Sequence, residues 1–391
     1  MRLHEFQAKS LLADYGLPCP KGAVAITAAE AESIARDLGV APLAVKAQIH
    51  AGERGAAGGV RMAHGPAMVR SAAEALLGKK LVTAQTGEGG LTVRRVYVEA
   101  ATPAAKQIYL ALVVEPALGG FALLGAAQGG EEIERREREG NLVRERMTLS
   151  VGAEPDPAEL DAFLAAIGLE GATQAKAATL VAGLRRAFIE LDASLIEINP
   201  LAVTADGDLF ALDVKMTLDD NALFRHRDLA SLRDEDDDDR VKLTSQRDQL
   251  NFVQLDGDIG LVSNGAGLGL ATLDMVKAAG GRPANFMDIR TTATSLDIAH
   301  GFALLLDNPA IKTLLVNVHG GGMQSCDTIA EGLGVALRRS GRSLPVVVRL
   351  AGLNAEFART RFKNFGCAVI EEPDMASAAQ RAVTVAASGR A

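Results

Sequence analysis

The chain has 391 residues and a formal charge of −8, from 41 Lys+Arg against 49 Asp+Glu, and apolar residues make up 48% of it. At roughly 100–200 residues per domain this length means two or three domains, and the apolar share excludes disorder as the overall state. The acidic balance, with no basic stripe to meet phosphates, argues against a nucleic-acid partner, and no apolar run of about 18 residues reads as a membrane span.

Aromatic residues are 4% of the chain and tryptophan is absent. Ala, Gly, Val and Leu must then build the core, which suits parallel sheets covered by helices. Cys19, Cys326 and Cys367 are odd in number, far apart, and form no Cys-x-x-Cys pair. That excludes a zinc knuckle and a disulfide framework and points to a reducing, cytoplasmic compartment. The opening Met1-Arg-Leu-His-Glu5 is too polar for a secretory segment.

In chain order, Leu3–Tyr15 has near-helical apolar spacing and stops at Gly16, and Ala28–Leu38 stops at Gly39. Leu43–Ile49 reads as a strand running into the glycine-rich segment Gly52–Gly59. Val93–Glu99, Ile108–Val114 and Ala122–Ala126 read as strands, and Pro157–Ile167 and Thr173–Leu191 as helices. Leu195–Val203 and Leu209–Met216 are alternating strands joined through Ala205-Asp-Gly207, a hairpin signal. The acidic run Arg233–Arg240 repels itself and reads as a solvated loop or linker, dividing the chain into residues 1–240 and 241–391. Beyond it, apolar strands at Ile259–Ser263, Ala284–Met287, Thr313–Val318, Val346–Leu350 and Ala368–Ile370 alternate with helices. This is the pattern of a doubly wound parallel sheet.

Open parallel sheets bind ligands at the C-terminal ends of their strands. Two such ends here are glycine-rich: Asn264-Gly-Ala-Gly-Leu-Gly269, and Gly320-Gly-Gly322 after His319. Glycine lets backbone N–H groups approach an anion at a helix N-terminus, although tight turns alone would also account for it. The spacing is not Gly-x-Gly-x-x-Gly, so a dinucleotide is disfavoured. In the first domain, a three-residue loop at 205–207 makes cross-strand partners sum to 412, so Asn199 faces Asp213 and Glu197 faces Lys215. Ile196, Ile198, Leu212 and Val214 then face the core. Asn plus Asp are hard oxygen ligands of the kind Mg²⁺ accepts; a solvated outer face is the bland alternative, and a two-residue loop would shift the register. Lys46 lies in an otherwise apolar strand. Such a lysine ordinarily snorkels to solvent, but one followed by a flexible glycine loop carrying Arg54 can instead clamp phosphates. Motifs for a P-loop, a zincin or a serine hydrolase are absent.

These residues together resemble the beta subunit of succinyl-CoA synthetase and its relatives, such as malate–CoA ligase. The resemblance runs the whole length, through Leu3-His-Glu-Phe-Gln-Ala-Lys9, Val45-Lys-Ala-Gln-Ile-His-Ala-Gly52, Val98-Glu-Ala-Ala-Thr102, Ile196-Glu-Ile-Asn-Pro-Leu201, Asn221-Ala-Leu-Phe-Arg225, Asn264-Gly-Ala-Gly-Leu268 and Pro345-Val-Val-Val-Arg-Leu350. It implies an α/β chain with an ATP-grasp domain followed by a flavodoxin-like, doubly wound CoA-ligase domain. The implied activity is an ADP-forming acid–CoA ligase of the tricarboxylic acid cycle type, using ATP and Mg²⁺. A separate alpha subunit carries the phosphorylated histidine and the CoA site, and the second substrate is a small carboxylic acid such as succinate or malate. By the same resemblance, Lys46, Glu53, Arg54, Gly55, Glu99, Thr102 and Gln107 hold the nucleotide, and Asn199 and Asp213 hold Mg²⁺. Glu197 steadies the partner's histidine, and Asn264, Gly320, Gly321 and Gly322 meet the acid.

The sequence departs from the family at defined places. Glu53 stands for a glycine, Ala56 for a lysine and Gln107 for a glutamate. After Asp288 the family's Val-Gly-Gly-Gly-Ala is Ile289-Arg-Thr-Thr-Ala293, which gains Arg290. The family's Phe-Gly-Gly-Ile-x-Arg-Cys-Asp is His319-Gly-Gly-Gly-Met-Gln-Ser-Cys-Asp327, without its arginine. Arg290, at the end of a parallel strand, is therefore a candidate reader of the acid, with a subunit seam as the alternative. A non-catalytic paralogue that keeps fold and partner is the competing functional expectation.

Overall fold

The computed structural model describes residues 1–391 apart from 87–88, 142, 235–249, 322–323 and 389–391. The chain forms two compact units, Met1–Asp237 and Asp238–Ala391.

The first unit is built on antiparallel sheets. Among the described residues its largest sheet runs in the order Arg2–Leu3, Val214–Leu218, Ala193–Val203, Lys106–Glu115, Gly120–Ala126, Glu145–Leu149, with Leu209–Ala211 also paired to Ala193–Val203. One face is covered by the helices Pro157–Ala166 and Gly171–Glu190. The second of these buries Leu180, Val181, Leu184 and Phe188, and Phe188 stacks on Phe121 at 5.0 Å. Each such side chain contributes about 1.5–3 kcal/mol through burial. A four-stranded sheet, ordered Gly22–Ala25, Val96–Ala100, Leu43–Ala47, Val60–Ala63, carries the helices Ala28–Leu38 and Pro66–Leu76. Ala28–Leu38 starts where the Thr27 hydroxyl accepts the Glu30 N–H, and it stops at Gly39, whose φ of 62° suits glycine.

The hairpin has the expected register: Val203 opposes Leu209, Ile198 opposes Val214 and Glu197 opposes Lys215. One part of that expectation is corrected. The return strand is interrupted between Leu209–Ala211 and Val214–Leu218, although the Leu212 N–H still donates to the Pro200 carbonyl at 3.0 Å. Leu212 consequently does not face the core; it is half-buried and offers its carbonyl to the ammonium groups of Lys9 and Lys46.

The acidic run is also corrected at its start. Asp234 is not solvated: its side chain is buried and pairs with His4 and Arg95, while Arg233 pairs with Asp220. The remainder of the run, 235–240, lies outside the described residues.

Among its described residues the second unit has five parallel strands. In chain order they are Ile259–Asn264, Asn285–Ile289, Thr313–Gly320, Val346–Gly352 and Val369–Glu371, and across the sheet they lie in the order 2-1-3-4-5. This is the flavodoxin-like order. Helices Ser295–Asp307, Cys326–Ser340 and Ala355–Phe365 cover one face, and Ala266–Ala278 and Met375–Ser388 the other. An antiparallel edge strand, Leu250–Gln254, adds to the expected five by pairing with Asn285–Ile289. No helix among the described residues is long and apolar enough to cross a membrane, and all three cysteines are free.

Candidate functional site

A cavity of about 280 Å³ in the first unit gathers most of the residues picked out from the sequence. Its lining includes Lys46, Glu53, Arg54, Gly55, Glu99, Thr102, Asn199 and Asp213. Strand Leu43–Ala47 supplies Lys46, strand Val96–Ala100 supplies Glu99, and the broken hairpin supplies Asn199 and Asp213. Gln107 is exposed and stands outside that lining; its amide oxygen packs against Gly130, which does line it.

Lys46 does not snorkel. Every residue of its strand is buried, and Lys46 is held by Glu5 at 3.0 Å and by Glu99. It belongs to a network of three cations and three carboxylates. Glu5 also pairs with Lys9 at 2.8 Å and Arg54 at 2.7 Å; Lys9 reaches Glu99 at 2.6 Å, and Arg54 reaches Asp213 at 2.6 Å. The three cations hold the Glu5 carboxyl well below the usual carboxylate range, against the opposing effect of burial. Burial holds Glu99 above that range, with Lys46 and Lys9 pulling the other way. Lys9 and Arg54 are both raised despite burial, by Glu5 with Glu99 and by Asp213 with Glu5 respectively. Cations desolvated in this way stay charged only because each has a carboxylate.

The glycine segment forms a compact turn. Gly59 N–H donates to the Arg54 carbonyl at 2.7 Å and Gly58 N–H to that of Gly55 at 2.9 Å. From this turn Arg54 folds back on the preceding strand, donating to the Ala47 carbonyl at 2.7 Å. Glu53 sits at φ 58°, a conformation that favours glycine.

Asn199 and Asp213 face one another across the broken hairpin, the Asn199 N–H donating to the Asp213 carbonyl at 3.1 Å. Asn199 Oδ1 accepts the Gly130 N–H at 2.6 Å, and Asp213 Oδ1 accepts from Arg54. One amide oxygen and one carboxylate in one cavity fit Mg²⁺, which keeps several waters and takes phosphate oxygens. Among the described residues no group of three or more His, Cys, Asp or Glu side chains is arranged to hold a metal. An ion here would therefore draw its remaining ligands from water and substrate.

Glu197 lines an adjoining cavity of about 300 Å³, with Gly52, Gln85 and Lys215, and Arg54 and Asp213 line both cavities. Lys215 pairs with Glu197 at 2.7 Å, and the Tyr109 hydroxyl donates to the other Glu197 oxygen at 3.4 Å. Burial lowers and Glu197 raises the Lys215 pKa, with a net rise.

In the second unit, Asn264 ends the first parallel strand and His319 is the last residue but one of the third, the point where the strand order reverses. Asn264 clamps the His319 backbone from both sides, donating to its carbonyl at 2.7 Å and accepting its N–H at 2.9 Å. A Cβ on Gly320 would stand 2.4 Å from the Leu353 carbonyl oxygen, whereas the space beside Gly321 is open. Gly322 lies outside the described residues. Arg290 is exposed and donates to Asn251 Oδ1 of the edge strand at 3.1 Å.

Glu5, Lys9, Glu131 and Glu134 were missed from the sequence as site residues. The last two line the nucleotide-sized cavity from the helix Glu131–Arg138. The signal for the first two was available: Glu5, Ala8, Lys9 and Leu12 form the buried stripe of the helix Glu5–Ala13, and charges at i,i+4 on an apolar stripe need partners.

The ATP-grasp domain family matches residues 2–203 and the CoA-ligase family residues 262–383. The succinate–CoA ligase [ADP-forming] subunit beta of Anaeromyxobacter dehalogenans (strain 2CP-C) is 42% identical over 388 residues, covering 99% of this chain and 99% of that protein. The protein of the same name from Methylobacillus flagellatus is 43% identical over 385 residues, covering 98% and 99%. Among solved structures, ATP citrate lyase from Methanothrix soehngenii in complex with citrate and coenzyme A superposes with a TM-score of 0.71. It is 17% identical and covers 98% of this chain and 99% of that one; at that identity the likeness is one of fold.

Proposed function

The chain belongs to the family of ADP-forming succinate–CoA ligase beta subunits, and from that premise we propose that it is the nucleotide-binding subunit of a carboxylate–CoA ligase that works with a separate alpha subunit in the cytoplasm. The observation that carries this reading is the convergence of Lys46, Glu53, Arg54, Gly55, Glu99, Thr102, Asn199 and Asp213 on one cavity.

In this reading, residues 1–240 bind ATP and residues 241–391 form the CoA-ligase domain. Lys46, Arg54 and the 53–55 turn face the phosphates, and Glu99 and Thr102 the base and sugar. Gln107 acts from the rim, beside Gly130. Asn199 and Asp213 would hold Mg²⁺, which neutralises phosphate charge when bound. Phosphoryl transfer needs positioning and charge neutralisation more than side-chain bond chemistry, and the buried cations, each held by carboxylates, supply the positioning. Glu197, in the adjoining cavity, holds the acceptor histidine of the alpha subunit. The histidine nitrogen forms a bond to the γ-phosphorus as its bond to the bridging oxygen breaks, the electron pair leaving on ADP. The phosphohistidine then activates a small dicarboxylate, succinate or malate, and CoA displaces phosphate. Asn264, Gly320, Gly321 and Gly322 meet the acid in this reading. The clamp on His319 leaves Asn264 one amide hydrogen and one lone pair for it.

The test is co-purification with the alpha subunit and assay of ATP- and CoA-dependent thioester formation across a panel of acids that includes succinate and malate. Thioester and ADP in equal amounts support the reading. A complex that assembles yet makes no thioester with any acid would replace it with a non-catalytic paralogue.

A further inference from the structure

In the cavity that Glu197 lines, the proposed roles leave Lys215 without a task. Both cavities are lined by Arg54 and Asp213, so that ion pair forms their common wall. Arg54 is committed there, to Glu5, Asp213 and the Ala47 carbonyl, and is buried. On the far side, Glu197 lines the cavity proposed to receive the acceptor histidine. A carboxylate repels a phosphoryl group unless its charge is offset.

Lys215 provides that offset. It opposes Glu197 directly across the antiparallel pair, and its Nζ lies 2.7 Å from Glu197 Oε1. A Cβ built on Gly52 would come within 3.1 Å of the same Nζ. The ammonium thus rests against the residue that opens the glycine turn, in space that any side chain at position 52 would contest. Gly52 N–H is in turn fixed by Gln85 Oε1 at 2.8 Å. Lys215 therefore touches the acceptor-side carboxylate and the beginning of the phosphate-side turn at once.

We propose that Lys215 is the positioning residue of phosphoryl transfer: it holds Glu197 in place and offsets its charge where the phosphoryl group passes from one cavity to the other. This rests on the nucleotide reading given above. Lys215 neither gains nor loses a proton in the step; the bond made and the bond broken are those to the γ-phosphorus already described.

The experiment uses the complex with its alpha subunit and compares wild type with Lys215→Gln and Lys215→Arg. Two quantities are measured: equilibrium binding of Mg²⁺-ATP, and the single-turnover rate at which labelled ATP puts acid-labile phosphate on the alpha subunit. Lys215→Gln should slow labelling on the order of 100-fold while ATP binding stays within about threefold, and Lys215→Arg should restore most of the rate. The side chain is 34% exposed, so the fold should tolerate both changes, and melting curves check this. Labelling at the wild-type rate in Lys215→Gln would overturn the proposal. So would a loss of ATP binding as large as the loss of rate, which would make Lys215 a nucleotide ligand, or a Lys215→Arg protein as slow as Lys215→Gln. A wild-type complex that binds no ATP would remove the nucleotide reading itself, and this proposal with it.

Discussion

Replacing Glu5 by glutamine tests the buried network at its centre. Glu5 meets Lys9, Lys46 and Arg54 at 2.8, 3.0 and 2.7 Å, with its side chain 1% exposed. Without its charge, the carboxylates paired with the three cations among the described residues are Glu99 and Asp213. Removing one partner of a buried ion pair costs about 3–5 kcal/mol, because the charge left behind is desolvated and unpaired. The first unit should lose that much stability. All three tyrosines, Tyr15, Tyr97 and Tyr109, lie in it and the chain has no tryptophan, so tyrosine fluorescence in urea follows that unit alone. The midpoint should fall with an unchanged slope.

Two further readouts separate this from a general packing defect. Lys46 and Arg54 line the proposed nucleotide cavity, so the surplus positive charge should be relieved by phosphates. Mg²⁺-ATP should therefore stabilise Glu5→Gln by at least about 1.4 kcal/mol more than it stabilises wild type, the equivalent of a tenfold tighter site. The acid limb should change as well. Glu5 titrates below its unfolded value in the folded chain, so the stability it contributes is complete above the ordinary value of 4.5 and is lost as pH falls toward the folded one. Glu99 is shifted upward and works in the opposite sense. Glu5→Gln should consequently flatten the loss of stability below that pH. A cost under about 1 kcal/mol with no nucleotide effect would refute the claim that Glu5 holds these cations.

Asp213→Ala should abolish the Mg²⁺ dependence of ATP binding while the fold persists, since Asp213 is only half-buried; equal affinity with Mg²⁺ and with chelator in wild type would sink the metal assignment. Glu53→Gly should raise stability by about 1 kcal/mol, by relieving a positive φ, and should tighten ATP by removing a carboxylate from the phosphate side. Thermal shifts with and without ATP measure both, and no change in either would mean that the side chain points away from the phosphates and the turn is unstrained. Arg290→Gly should raise the KM for the acid about tenfold, roughly 1.4 kcal/mol, and leave that for ATP unchanged. Equal loss for both substrates, or loss of the alpha subunit, would move Arg290 to the subunit seam.

The hairpin shows how far residue arithmetic reaches. Partners summing to 412 are the observed pairs on both sides of the break, because turn length alone fixes register. The break at Leu212 was not legible. Period-2 alternation assigns side chains to faces, but it does not show that the Leu212 carbonyl, opposed to a proline with no N–H to offer, accepts from two lysines, one of them 203 residues earlier in the chain. The carboxylate partners of Lys46 were hidden for the same reason. Its burial depends on Glu5, 41 residues before it, and Glu99, 53 residues after it, and no local window contains both. The second unit was easier, since fully buried parallel strands announce themselves as apolar runs. Its edge strand Leu250–Gln254, half exposed and antiparallel, lacks that signature.

The departures from the family pattern divide by what the backbone allowed. At Glu53 the turn has a positive φ of 58°, a conformation that suits glycine, and it places a carboxylate-bearing residue in the lining of the cavity. At Arg290 the sequence suggested a reader of the acid because the residue follows a parallel strand. The structure gives it a second occupation, a hydrogen bond to Asn251, whose own amide donates to Asp288 at 2.9 Å, while Asp288 also accepts the Gly265 N–H at 2.6 Å. Arg290 is thus tied through two side chains to the turn after Asn264, one of the residues proposed to meet the acid. A substitution there can change acid recognition without the guanidinium ever touching the acid. The Arg290→Gly experiment should therefore be paired with Asn251→Ala, which cuts the tie and keeps the arginine. If only the first variant raises the KM for the acid, the guanidinium acts directly; if both do, it acts through the Asp288 turn.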